Sequence, residues 1–241
     1  MNRILSLAET TRTSKDARTV GEALFETGTD HCPWSLFIPL HYERNYAYPL
    51  LIWLHGPRDN EQQLKRIMPL VSMRNYAAIA PGDRTPDLAT PGVVWRQDDA
   101  GIARAEQLVI EAIHRAGQKL NVSSRRVFLA GFDAGGTMAL RIALRNPNRF
   151  AGVVSLGGPL PRDRTPLANL RQARHLPVLI ATGSHSPVYR EAEVCGDLRL
   201  LHSAGMNVAL RLYPHGQEIS PVMLGDVDRW VMELVTGSAT R

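Results

Sequence analysis

The chain has 241 residues, a length that fits one domain with room for a large buried core. Apolar residues make up 44% and charged residues 21%, a globular balance that argues against a disordered or fibrous chain. Net charge is +5, and all but three of the 28 basic residues (Lys15, Lys65 and Lys119) are arginines.

The arginines are scattered rather than clustered with interleaved aromatics, so a nucleic-acid surface is not expected. No run of about 18 apolar residues is present to span a membrane. The apolar patch near Ile4 is too short for a signal sequence and Glu9 follows it, so the expected location is cytoplasmic. Cys32 and Cys195 lie far apart with no metal-ligand pattern beside them, and two free thiols are expected.

Residues 1–30 are polar and weakly patterned. They predict an N-terminal arm with one short strand near Ala23–Glu26, leaving residues 31–241 as the domain proper. Trp34–Leu40 is apolar and β-prone and predicts a strand. Pro49–Leu54 is a continuous apolar run of strand length, the pattern of a parallel strand covered on both faces, and it ends at His55-Gly56-Pro57.

Glu61–Arg74 carries Leu64, Ile67, Met68 and Val71 at helical spacing. Tyr76–Ala80 predicts the next strand and Arg84–Gly92 a long loop. Asp98–Gly117 predicts an amphipathic helix with Asp98 and Asp99 as its capping charge. Trp95-Arg96 either lines the mouth of a cleft or packs beneath it.

Arg126–Ala130 predicts the central strand. It runs into Gly131-Phe132-Asp133-Ala134-Gly135-Gly136 and then a helix over Ala134–Arg145, stopped by Asn146-Pro147. Further strands are predicted over Phe150–Leu156, Leu176–Thr182 and Met206–Tyr213, with helices over Glu191–Ala204 and Pro221–Val235. Strands alternate with helices throughout. The predicted class is α/β: one domain with a mostly parallel central sheet, helices on both faces and no insertion long enough for a large cap domain.

The order of motifs resembles the phospholipase/carboxylesterase-type esterases of the α/β-hydrolase superfamily. The likeness covers about residues 34–236. It rests on Pro49-Leu-Leu-Ile-Trp-Leu-His-Gly, Gly131-Phe-Asp-Ala-Gly-Gly, Pro147-Asn-Arg-Phe-Ala-Gly-Val-Val-Ser-Leu-Gly-Gly, Gly183-Ser-His-Ser-Pro-Val and Tyr213-Pro-His-Gly-Gln-Glu-Ile-Ser-Pro. The resemblance implies a nucleophile elbow at Gly131–Gly135. It also implies that the site departs from the family at each triad position. Asp133 stands where such an esterase carries serine, Ser186 where it carries aspartate and Gln217 where it carries histidine. The implied oxyanion donors are the backbone N–H groups of Ala134 and the loop at Gly56, where Pro57 has no N–H to give.

Two roles for Asp133 follow. Haloalkane dehalogenases and epoxide hydrolases resemble this arrangement in using an elbow aspartate as nucleophile. That chemistry needs a base, for which His215 and His185 are the nearest candidates in sequence. Alternatively, Asp133 caps the helix with its carboxylate and tolerates the positive φ of the turn, while Gly131, Gly135 and Gly136 permit close strand–helix approach. His55 reads as a structural histidine ending a strand. His31, His41, His114, His175 and His202 show no metal-ligand spacing, and Ser155 and Ser184 lack a G-x-S-x-G setting.

The expected function is a degenerate esterase homologue, a pseudoenzyme holding a small-molecule ligand or acting as a scaffold. The alternatives are a hydrolase using Asp133 with His215 or His185 on a non-ester substrate, and an interaction protein with an unused cleft that forms a homodimer. No cofactor, metal or membrane partner is expected.

Overall fold

The computed structural model describes residues 24–28, 32–83, 95–163 and 167–237. The long loop predicted over Arg84–Gly92, most of the predicted arm and His31 lie outside the described residues.

Eight strands form one sheet. They are β1 (Phe25–Gly28), β2 (Trp34–Phe37), β3 (Tyr48–Leu54), β4 (Ala77–Pro81), β5 (Val122–Phe132), β6 (Gly152–Leu156), β7 (Val178–Gly183) and β8 (Val208–Tyr213). Their spatial order is β1-β2-β4-β3-β5-β6-β7-β8. β1 and β2 pair antiparallel at one edge; every other neighbouring pair from β4 to β8 is parallel. Every residue of β3, β6 and β7 is buried. Their unbroken apolar runs match a sheet covered on both faces.

The helices are α1 (Gln63–Val71), α2 (Asp99–Lys119), α3 (Ala134–Arg145), α4 (Leu170–Ala173), α5 (Glu191–Ser203) and α6 (Pro221–Gly237). Leu64, Ile67 and Met68 of α1 pack with Leu224, Val227 and Val231 of α6 on one face of the sheet. Leu108 and Val109 of α2, Met138 and Leu140 of α3, and Val194 and Leu201 of α5 pack on the other. Asp98 caps α2 as expected, its Oδ1 accepting from Gly101 N–H at 2.7 Å.

Strand boundaries moved, the one predicted over Trp34–Leu40 ending at Phe37, and two short elements were not predicted. The first strand sits over Phe25–Gly28 rather than 23–26, so the sheet begins within the stretch read as an arm. Its Gly28 lies against the Trp34 indole, where a Cβ would come within 2.4 Å of the ring, and Arg115 and Lys119 hold that ring at 5.2 Å each. β5 starts at Val122, four residues earlier than its apolar core, because Val122 pairs with Tyr48. Pairing, which polar sequence does not announce, extended it. Finally, α4 and the 3-10 turn Pro147–Arg149 carry too few residues to show a period.

Candidate active site

The site is built where the parallel strands end. β5 passes through Gly131 into the turn and α3 begins one residue after Asp133. The approach is as close as the glycines predicted: a Cβ on Gly131 would lie 2.4 Å from Gly135 O, and one on Gly135 would lie 2.3 Å from Leu54 O. Asp133 has φ 52° and ψ −121°. A non-glycine residue held there costs about 1–3 kcal/mol, so the strain of a nucleophile elbow is present. Its backbone is fixed by Asp133 N–H to Leu156 O at 2.8 Å and Thr137 N–H to Asp133 O at 3.0 Å.

The capping role expected of the Asp133 side chain is not seen. The carboxylate makes no cap hydrogen bond to α3; it turns the other way, towards the loop after β8. There Gln217 Nε2 donates to Asp133 Oδ2 at 2.7 Å and to Gly157 O at 2.9 Å. Gln217 Oε1 accepts from Ser186 Oγ at 2.6 Å. Ser186 Oγ in turn accepts the backbone N–H groups of Val188 (3.2 Å) and Tyr189 (3.1 Å). With the serine's acceptor side filled by two N–H groups, its proton points at Gln217, which fixes the amide's orientation. The three residues that the family resemblance sets at the triad positions thus meet in one chain running from Ser186 through Gln217 to Asp133. Both amide hydrogens of Gln217 are used, and an amide has no basic nitrogen.

Neither of the two histidines proposed as bases is hydrogen-bonded to Asp133. The His215 ring stacks on Tyr213 at 5.6 Å, with Nδ1 3.0 Å from Gly216 O and Nε2 3.2 Å from Ser220 Oγ. His185 is exposed, and its backbone N–H bonds to His215 O at 3.0 Å. Among the described residues, Gln217 is the one side chain hydrogen-bonded to the Asp133 carboxylate.

Of the two backbone donors implied for an oxyanion hole, Ala134 opens α3 directly after the elbow. The other, Gly56 N–H, is committed to Gln63 Oε1 at 3.2 Å. That oxygen also accepts Trp53 Nε1 at 2.7 Å, and Gln63 Nε2 reaches Asp59 at 2.8 Å. Gln63 is buried and ties the loop to α1; nothing in a single glutamine on a helical face signals this.

His55 is fully buried, its Nδ1 2.8 Å from Gly56 O and its ring 4.9 Å from Trp95. Burial holds its imidazole below the usual histidine range. Trp95 packs rather than lining a mouth: it is 3% exposed and donates Nε1–H to His55 O at 2.9 Å. Ser155, buried on β6, donates to Gly158 O at 2.7 Å.

Two braces that sequence reading missed hold the surrounding loops. Asp197 of α5, 2% exposed, accepts from Tyr189 Oη at 2.8 Å and Arg162 Nη2 at 2.9 Å. This ties the Ser186 loop to the loop after β6. Burial pushes both the Asp197 carboxyl and the Tyr189 hydroxyl above their ordinary values. Arg141 of α3, 3% exposed, reaches Asp163 Oδ1 at 2.6 Å and Gln97 Oε1 at 3.2 Å. Among the described residues, no three His, Cys, Asp or Glu side chains gather into a metal-holding group. Cys32 and Cys195 are both free, and no described helix is long and apolar enough to cross a membrane.

Sheet order, elbow geometry and the loops at the strand ends define an α/β hydrolase. More narrowly, the chain belongs to the phospholipase/carboxylesterase family, which matches residues 87–234. It is 33% identical over 150 residues to NocK of Nocardia uniformis subsp. tsuyamanensis, a match covering 58% of this chain and 40% of that one. It is 32% identical over 94 residues to acyl-protein thioesterase 1 of Schizosaccharomyces pombe, covering 39% and 42%. The chain thus spans about two-fifths of the length of these curated relatives. Among solved structures, the carboxylesterase of Mesorhizobium loti superposes with a TM-score of 0.68 at 20% identity, covering 87% of this chain and 99% of that one. The Bacillus cereus carboxylesterase gives 0.68 at 18% identity, covering 86% and 96%. At such identities these two speak for the fold alone.

Proposed function

We propose that this chain is a non-hydrolytic member of the esterase family that uses the inherited cleft to hold a small molecule. The observation that carries this reading is the hydrogen-bonded chain from Ser186 through Gln217 to Asp133. Serine-hydrolase catalysis needs a nucleophile, a base that takes its proton and a group that orients the base. Here the base position is an amide with no proton affinity at neutral pH. The orienting position is a hydroxyl that donates to that amide.

Ester hydrolysis through Asp133 itself is disfavoured on two counts. Attack on an acyl carbon would form a mixed anhydride and place a carboxylate beside the developing oxyanion. The Gly56 N–H that could offset that charge is bonded to Gln63, and Pro57 has none. Losing one such donor typically costs about 10²–10³ in rate. Attack on an sp³ carbon would leave an alkyl ester that needs an activated water. Both candidate histidines are held by other groups or exposed.

The test is intact-mass spectrometry after incubation with p-nitrophenyl acetate and, separately, with 1-bromobutane, followed by peptide mapping. The expected result is no adduct on Asp133 with either reagent. An acetyl or butyl adduct on Asp133 that forms and then decays would overturn the reading.

A further inference from the structure

The far end of α3, 12 residues from the elbow and so about 18 Å along the helix, carries a feature that the hydrolase frame does not use. There the chain turns through Pro147–Arg149 and later passes beside it again as α4. Between these segments lies a cavity of about 460 Å³. Its lining is two guanidiniums (Arg145 and Arg149), four carboxamides (Asn146, Asn148, Asn169 and Gln172) and one proline. Among the described residues no carboxylate lines it; Glu106 accepts from Asn146 Nδ2 at 2.9 Å.

Basic side chains in the last turn of a helix ordinarily serve the unsatisfied carbonyls there. At this helix end three of the acceptors are already taken by other donors. Ile142 O receives Asn146 N–H at 3.1 Å and Asn146 Nδ2 at 3.2 Å. Arg145 O receives Asn169 Nδ2 at 2.7 Å. Asn146 O receives Arg149 N–H at 3.0 Å. The guanidiniums of Arg145 and Arg149 and the carboxamides of Asn148 and Gln172 have no hydrogen-bond or ion-pair partner among the described residues. Two planar guanidiniums and two amide donors around one hollow supply the kind of donors that the oxygens of a phosphate accept, and arginine binds phosphate bidentately.

We propose that this notch binds a dianionic phosphate group, either free or as the monoester of a small molecule. The cavity is several times the size of the group itself, so the monoester is the tighter ligand. The site does not depend on how the cleft at Asp133 is read.

The experiment is a ¹H–¹⁵N titration of the full chain with inorganic phosphate, with glycerol 2-phosphate and with sodium chloride at matched ionic strength. Saturable shifts of the Asn148 and Gln172 side-chain amides are expected with both phosphates, with chloride producing none. The double variant Arg145→Gln/Arg149→Gln, altering two exposed side chains, is expected to weaken that binding at least tenfold. Phosphate binding as tight as the monoester's would support the site with the free ion as its ligand. Shifts that never saturate, that chloride reproduces, or that survive in the double variant would overturn the proposal.

Discussion

At the scale of single residues, Gln217 decides the character of the site. It stands where the family resemblance implies a base, and all three of its hydrogen bonds are spent within the protein, on Asp133, Gly157 and Ser186. Replacing it with alanine leaves a carboxylate and a hydroxyl without their partner in a half-buried setting. A Gln217→Ala variant is therefore expected to lose about 1–3 kcal/mol of stability. Urea unfolding should show this as a lowered midpoint with an unchanged slope. No loss would mean that the amide is a bystander.

Asp133 was legible in part. Its position, its positive φ and its flanking glycines follow from Gly131-Phe-Asp-Ala-Gly-Gly. The direction of its carboxylate does not, because the choice between capping α3 and meeting Gln217 is made by a loop 84 residues away in sequence. Gly56 is similar: the sequence marks the loop, but only Gln63, at the start of α1, explains where its N–H points.

At the scale of elements, the joint between β5 and α3 is closely fitted. Gly135 sits against the backbone carbonyls of Leu54 and His55 at the end of β3. Gly135→Ala is expected to destabilise the fold by about 3 kcal/mol or more, in the range of backbone-level steric conflicts. Gly225, where an added Cβ would meet nothing within 4 Å, is the matched control: Gly225→Ala in α6 is expected to be neutral or stabilising by up to about 1 kcal/mol. Paired thermal melts would separate the two; equal effects would contradict the packing described.

Period and composition found the long elements, because each has an apolar face to bury. They missed α4 and stopped short of the first residues of β5, where neighbouring strands rather than side-chain pattern decide the structure. The braces Tyr189–Asp197–Arg162 and Arg141–Asp163 escaped for the same reason, since each joins segments remote in sequence.

For the whole molecule, three tyrosine–aspartate bonds govern behaviour at high pH. Tyr76 meets Asp228, Tyr213 meets Asp226 and Tyr189 meets Asp197. Burial first, and then the neighbouring carboxylate, push all three hydroxyls well above the usual tyrosine value. The folded protein therefore keeps three protons that the unfolded chain gives up near pH 10. Their contribution to stability is complete below pH 10 and is lost above it, at about 1.4 kcal/mol per pH unit for each tyrosine. Denaturant unfolding between pH 10 and 12 is expected to show that steep decline. Tyr76→Phe should remove about a third of the slope; an unchanged slope would show that the hydroxyl titrates in the folded state.

The frame of the esterase family is kept down to its strained elbow, while Ser186, Gln217 and Asp133 bond to one another in one chain. The most direct test is steady-state turnover of p-nitrophenyl acetate by the wild type beside Asp133→Ala, with a protein-free control. Equal rates for the two proteins, close to the background, are the predicted result. A wild-type rate well above background that falls tenfold or more in Asp133→Ala would contradict the account.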